Sequence, residues 1–219
     1  MSIKNNLEAI RQQINLKGRN VRLVAVTKTF PVETILEAIA AGITDIGENR
    51  VQEAATKFPH LPTSITKHLI GHLQSNKARK AVELFDWIHS VDSVALARKL
   101  DRLASDIGKT LVVLAQVDLA KEPTKSGASV EELPELAATL AASRSLDFRG
   151  LMTLPPFFED PERTRPYFAK LRQLLAELNS TLPKPLTELS MGMSHDFSVA
   201  IEEGATIVRI GSAIFGHRH

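Results

Sequence analysis

The chain has 219 residues, 43% hydrophobic and 24% charged, with a formal net charge of +2 and no cysteine. These figures describe one globular domain over 1–219 and exclude a disulfide framework, a thiolate metal site and a cysteine nucleophile. No apolar run reaches the roughly 18 residues of a membrane helix, and the opening MSIKNNLEAIRQQ is too polar for a signal peptide, which suits a cytoplasmic protein. With no basic stripe and only 5% aromatic residues, neither nucleic acid nor a membrane is expected as a partner.

Residues 1–17 read as a helix preceding the first strand. Short β-branched runs then recur at 22–27, 43–47, 68–71, 87–91, 111–117, 148–152, 186–191 and 206–210, with helical patterns between them. Pro31 opens the first intervening helix and Gly42 closes it. Asp92 is placed to cap a helix whose Leu96, Leu100, Leu103 and Ile107 share a face, with Gly108 as its stop. Ser129 and Glu132 form a capping box, and Phe168, Leu171, Leu175 and Leu178 make another apolar stripe. The alternation of strand and helix predicts a single-domain (β/α)8 TIM barrel with an extra N-terminal helix. An open doubly wound sheet fits less well, because Thr27-Lys28-Thr29 follows the first strand where that fold needs glycine.

Active residues of such barrels sit at the C-terminal ends of the strands, and nearly every strand here ends in polar residues or glycine. Lys28 ends a strand buried on both faces. A lysine so placed can attack a carbonyl to form a Schiff base, or it can simply snorkel to solvent. Gly192 and Ser194 after the seventh strand, with Gly211 and Ser212 after the eighth, suit a phosphate cradle or two tight turns. Arg209 needs an acceptor, which Glu188, Asp196 or a ligand ring nitrogen could supply. His68 and His72 have the i, i+4 spacing of a helical zinc pair, but on a strand that spacing separates them by about 13 Å, so no metal is expected.

Several motifs converge on one family: Val24 through Lys28, Gly47-Glu48-Asn49, His68 through Lys77, Ser90 through Ser93, Lys125-Ser126-Gly127 and Gly150 through Thr153. Leu189 through Ser194, Val208 through Gly211 and Ile214-Phe215-Gly216 complete the set. In this the chain resembles, over essentially its whole length, the pyridoxal 5′-phosphate homeostasis proteins of the YggS/PROSC type, related to the N-terminal barrel of alanine racemase. The resemblance implies pyridoxal 5′-phosphate held as an internal aldimine on Lys28. It also implies that Ser194, Gly211 and Ser212 hold the phosphate and that Arg209 faces the pyridine nitrogen. Asn49 would lie near the ring, and Met191 or Met193 near its edge. His195 and Glu122-Pro123-Thr124 depart from the family pattern.

The function so implied is non-catalytic: holding and carrying the cofactor, influencing amino-acid and keto-acid balance, with apoenzymes that use pyridoxal phosphate as recipients and the monomer as the working form. A racemase using the same cofactor and a cofactor-free Schiff-base aldolase are the alternatives. Racemisation needs acid/base groups on both faces of a carbanion. The chain ends at His219 soon after the eighth strand, so no second domain is expected to supply a tyrosine, and Tyr167 belongs to an outer helix. His195 is the one candidate substitute.

Overall fold

A computed structural model describes residues 2–18, 20–120 and 126–216. Eight parallel strands close into a barrel in sequence order: β1 (Arg22–Val26), β2 (Asp45–Glu48), β3 (Thr66–Leu69), β4 (Trp87–Val91), β5 (Leu111–Gln116), β6 (Leu146–Met152), β7 (Glu188–Met193) and β8 (Ile207–Ile210). Around them lie α1 (Ile3–Leu16), α2 (Val32–Ala40), α3 (Val51–Lys57), α4 (Ala78–Leu84), α5 (Val94–Asp106), α6 (Leu133–Ala142), α7 (Arg165–Asn179), α8 (Phe197–Glu202) and the short α9 (Ser212–Phe215). This is the (β/α)8 barrel that the strand–helix alternation predicts, with α1 as the extra helix. No helix among the described residues is long and apolar enough to cross a membrane.

The helix ends follow local chemistry. Ser2 caps α1 by accepting from the Asn5 N–H, and Ser129 and Glu132 exchange the two bonds of a capping box before α6. The cap of α5 is Ser93, whose hydroxyl accepts from the Leu96 N–H, rather than Asp92. Asp92 instead pairs with His72 at 3.2 Å, and Ile107 falls outside the helix and is exposed.

Two apolar layers hold the barrel. The larger packs the outward faces of the strands against helices, through residues such as Leu69, Leu100, Phe168 and Leu171. The smaller lies inside the barrel and contains Val24, Leu114, Met152 and Ile207. The rest of the interior is polar: His68, His89, Ser190 and Arg209 are all buried. Strand contact is close enough at β6 and β7 that a Cβ on Gly150 would overlap the Glu188 carbonyl oxygen, so only glycine fits there.

Candidate functional site

The C-terminal ends of β1, β7 and β8 surround a cavity of about 420 Å³, within the size range of small-ligand sites. Lys28, Ser194, Arg209, Gly211 and Ser212 all line it, as do Met193 and His195. Asn49 lines a neighbouring groove of about 530 Å³ with Arg50, His72 and Lys77. Met191 is fully buried in the outer apolar layer and does not line the cavity. Side chains alternate along a strand, so with Ser190 inside the barrel Met191 must face the helices. An irregularity in pairing between Ser190 and Met193 then brings Met193 to the mouth. Gly192 makes that irregularity, with φ of +91° and Ala200 Cβ only 2.6 Å from where its own Cβ would stand.

A buried ionic cluster holds the turn that carries Lys28. Lys57 Nζ donates to the Thr27 carbonyl at 2.9 Å, to Glu48 Oε1 at 2.9 Å and to Glu53 Oε1 at 2.6 Å. Thr27 Oγ1 donates to the same Glu48 oxygen at 2.7 Å, and the Thr29 N–H donates to Glu53. Thr29 has φ of +69°, an uncommon backbone conformation for a β-branched residue. Lys28 thus sits between two residues whose backbones are tied to one lysine–glutamate cluster. Burial pushes the Glu48 carboxyl up despite its bonds from Lys57 and Thr27, and its Oε2 is a buried atom with no described partner. Burial also opposes ionisation of Glu53, but bonds from Lys57 and Thr29 outweigh it and hold that carboxyl low.

Arg209 is buried, with Nη1 donating to Ser190 Oγ at 2.7 Å and Nη2 to the Thr153 carbonyl at 2.9 Å. Burial lowers its pKa to about 10, opposed by Asp196, so it remains a cation at neutral pH. The carboxylates expected from the sequence do not bond to it. Glu188 accepts from Thr206 at the far end of the barrel, and Asp196 accepts from the Met193 N–H at 2.6 Å. The bonds to Ser190 and Thr153 use two of the five guanidinium N–H groups, leaving donors for an acceptor in the cavity.

The Gly211 and Ala213 N–H groups converge on Ser194 Oγ at 3.1 and 3.3 Å, as they would on an anionic oxygen. His195 is exposed, with Nε2 bonded to the Glu159 carbonyl at 2.9 Å. Tyr167 stacks on Phe158, away from the cavity lining. His68 bonds Asp45 and His72 pairs with Asp92, and no cluster of metal-ligating side chains occurs among the described residues. Lys125 and Glu122-Pro123-Thr124 lie outside the described residues. A further cleft, about 620 Å³, opens at the opposite, N-terminal end of the strands, where Arg22 and Asp45 pair with each other.

Polar groups gathered at the C-terminal mouth of a parallel barrel define a small-ligand-binding (β/α)8 protein. The family described as "Alanine racemase, N-terminal domain" matches residues 1–219. The pyridoxal phosphate homeostasis protein of Vibrio alginolyticus is 44% identical over 230 residues, covering 99% of this chain and 98% of that one. That of a Synechocystis strain is 45% identical, covering 91% and 92% respectively. The structure of PipY from Synechococcus elongatus, solved with pyridoxal phosphate bound, has a TM-score of 0.90 at 44% identity and covers 98% of this chain and 100% of that one. The chain belongs to the pyridoxal phosphate homeostasis protein family, within the wider group sharing the alanine racemase N-terminal domain.

Proposed function

We propose that this protein binds pyridoxal 5′-phosphate in the mouth cavity, holds it covalently through Lys28, and keeps it available for apoenzymes that need it. The observation carrying this reading is the convergence on one cavity of an amine, a buried guanidinium and Gly211 with Ser194, whose hydroxyl accepts from the Gly211 and Ala213 N–H groups. That donor set fits the cofactor's aldehyde, ring nitrogen and phosphate respectively. When bound, the cofactor supplies a Schiff-base carbon and a ring able to accept electrons. Arg209 stays charged and can only donate, so it orients a ring nitrogen while disfavouring its protonation. A ring held in this way is a weaker electron sink, which suits storage and delivery better than carbanion chemistry. Met193 takes the place at the ring edge, and Asn49 acts from the adjoining groove. We place the working form as a cytoplasmic monomer that buffers the cofactor and so influences amino-acid and keto-acid balance.

The phosphate end is tested by Ser194→Ala and by a bulky replacement of Gly211. Losing a hydrogen bond to a charged group weakens binding by roughly 1.5–3 kcal/mol, or about 10- to 150-fold. Titration followed by absorbance should give that loss for pyridoxal phosphate and little change for pyridoxal. Equal affinity of the unmodified protein for both would remove the phosphate site.

Racemase activity is expected to be absent or very slow. Among the described lining residues the groups able to move a proton are Lys28 and His195, and His195 Nε2 is engaged by the Glu159 carbonyl. Incubation with L-alanine in deuterium oxide should leave Cα unlabelled. Rapid label uptake with D-alanine formation, lost in His195→Ala, would establish the racemase instead.

A further inference from the structure

A continuous chain of hydrogen bonds crosses the barrel interior from the N-terminal cleft to the mouth cavity. At the cleft, Arg22 Nη1 donates to Asp45 Oδ1 at 2.7 Å. His68 Nε2 lies 3.0 Å from the same oxygen, and His68 Nδ1 lies 2.9 Å from His89 Nε2. His89 Nδ1 is then 2.8 Å from Ser190 Oγ, which receives Arg209 Nη1 at 2.7 Å. Both rings and the serine are wholly buried, so no solvent competes for these positions. Trp87 stacks on His68 with centroids 5.4 Å apart and helps hold the plane of that ring.

The Arg209 end fixes only its own link, and the order of the rest follows from Asp45. A guanidinium only donates, so the bond to Ser190 runs from Arg209 to serine. Although burial opposes it, bonds from His68, Thr44 and Arg22 hold the Asp45 carboxyl down to about 2. It is therefore an acceptor only, and His68 carries its proton on Nε2. Burial lowers the pKa of both histidines, which are neutral. His68 Nδ1 must then accept from His89 Nε2–H, and His89 Nδ1 must accept the Ser190 hydroxyl proton. Every link between Arg209 and Asp45 has one donor and one acceptor, and all of these point toward Asp45.

We infer that Asp45 is a positioning residue for the mouth: through His68, His89 and Ser190 it fixes the direction of a relay that anchors Arg209. The inference rests on the mouth being the cofactor site only for its consequence, since the relay exists without ligand. Neither histidine touches the cavity, so both act through Arg209.

The test is side-chain 15N NMR of the two histidines in the full chain without added cofactor, followed by titration with pyridoxal phosphate. Both rings should be neutral Nε2–H tautomers. A charged ring, or an Nδ1–H form at either position, overturns the relay. In Asp45→Ala the His89 ring, which does not touch residue 45, should become a tautomer mixture, and cofactor affinity should fall about 2- to 30-fold. An unchanged His89 or an unchanged affinity rejects the coupling. Should Asp45→Ala not fold, Ser190→Ala separates the ends: His68 and His89 should keep their tautomers while affinity falls. Loss of those tautomers would mean that the order is set from the mouth, against the inference. An unmodified protein that fails to bind the cofactor contradicts the proposed function, whatever the tautomers are.

Discussion

Replacing Lys28 by alanine is expected to abolish the imine absorption of the protein with its cofactor, leaving only reversible binding through phosphate and ring contacts. No other side chain described at the cavity offers a primary amine. The fold should survive. Lys28 is half-buried in a turn and outside both apolar layers, so its loss should change stability by no more than about 1 kcal/mol, or about 2–4 °C in melting temperature. Absorbance and thermal melting of the same sample read both parts. A variant that keeps the imine band moves the covalent site elsewhere, and one that unfolds makes Lys28 structural.

Lys57→Ala is expected to be the most destabilising single change near the site, although Lys57 does not line the cavity. It leaves Glu48, with a fully buried side chain, supported only by the Thr27 hydroxyl. Removing one partner of a buried ion pair typically loses about 3–5 kcal/mol, a large share of a domain's total stability. Melting should drop by about 6–20 °C. Burial already raises the Glu48 carboxyl, and loss of Lys57 raises it further. A group whose folded pKa exceeds its unfolded value favours folding at low pH and loses that contribution as pH rises. The deficit of the variant should therefore shrink on going from pH 7 toward pH 5. The pair Glu48→Gln with Lys57→Met removes both charges and should recover most of the loss. A melting change under about 2 °C in Lys57→Ala would mean that the cluster does not hold the turn.

The barrel was legible because its strands are apolar runs and its helices carry capping residues, both of which are local signals. The cavity residues were legible as strand-end motifs, and five of the seven meet at one cavity. Met191 illustrates what spacing conceals. Its neighbour Gly192 inserts an irregularity into β7, and only the folded strand reveals that Met193 reaches the mouth instead. Asp92 was the plausible cap by composition, but pairing with His72 left the role to Ser93. The partners of Arg209 are neutral, because a cation deep in a barrel can be satisfied by a hydroxyl and a carbonyl at the right places. Lys57 carried a local signal in its i, i+4 spacing from Glu53, yet burial of that lysine depends on β2 and the Thr27 turn. His89 gave a weaker one, a histidine in a strand buried from Ile88 to Val91. Its partners are distant in sequence, with Ser190 at a separation of 101 residues, and no pattern of spacing discloses such a contact.

The central claim is a covalent bond between Lys28 and pyridoxal phosphate. It is tested most directly by reducing the protein with borohydride after loading and mapping the modified peptide by mass spectrometry. The expected result is a single pyridoxyl-phosphate label on Lys28, absent in Lys28→Ala. A label on Lys77 or Lys125, or no label at all, would contradict it.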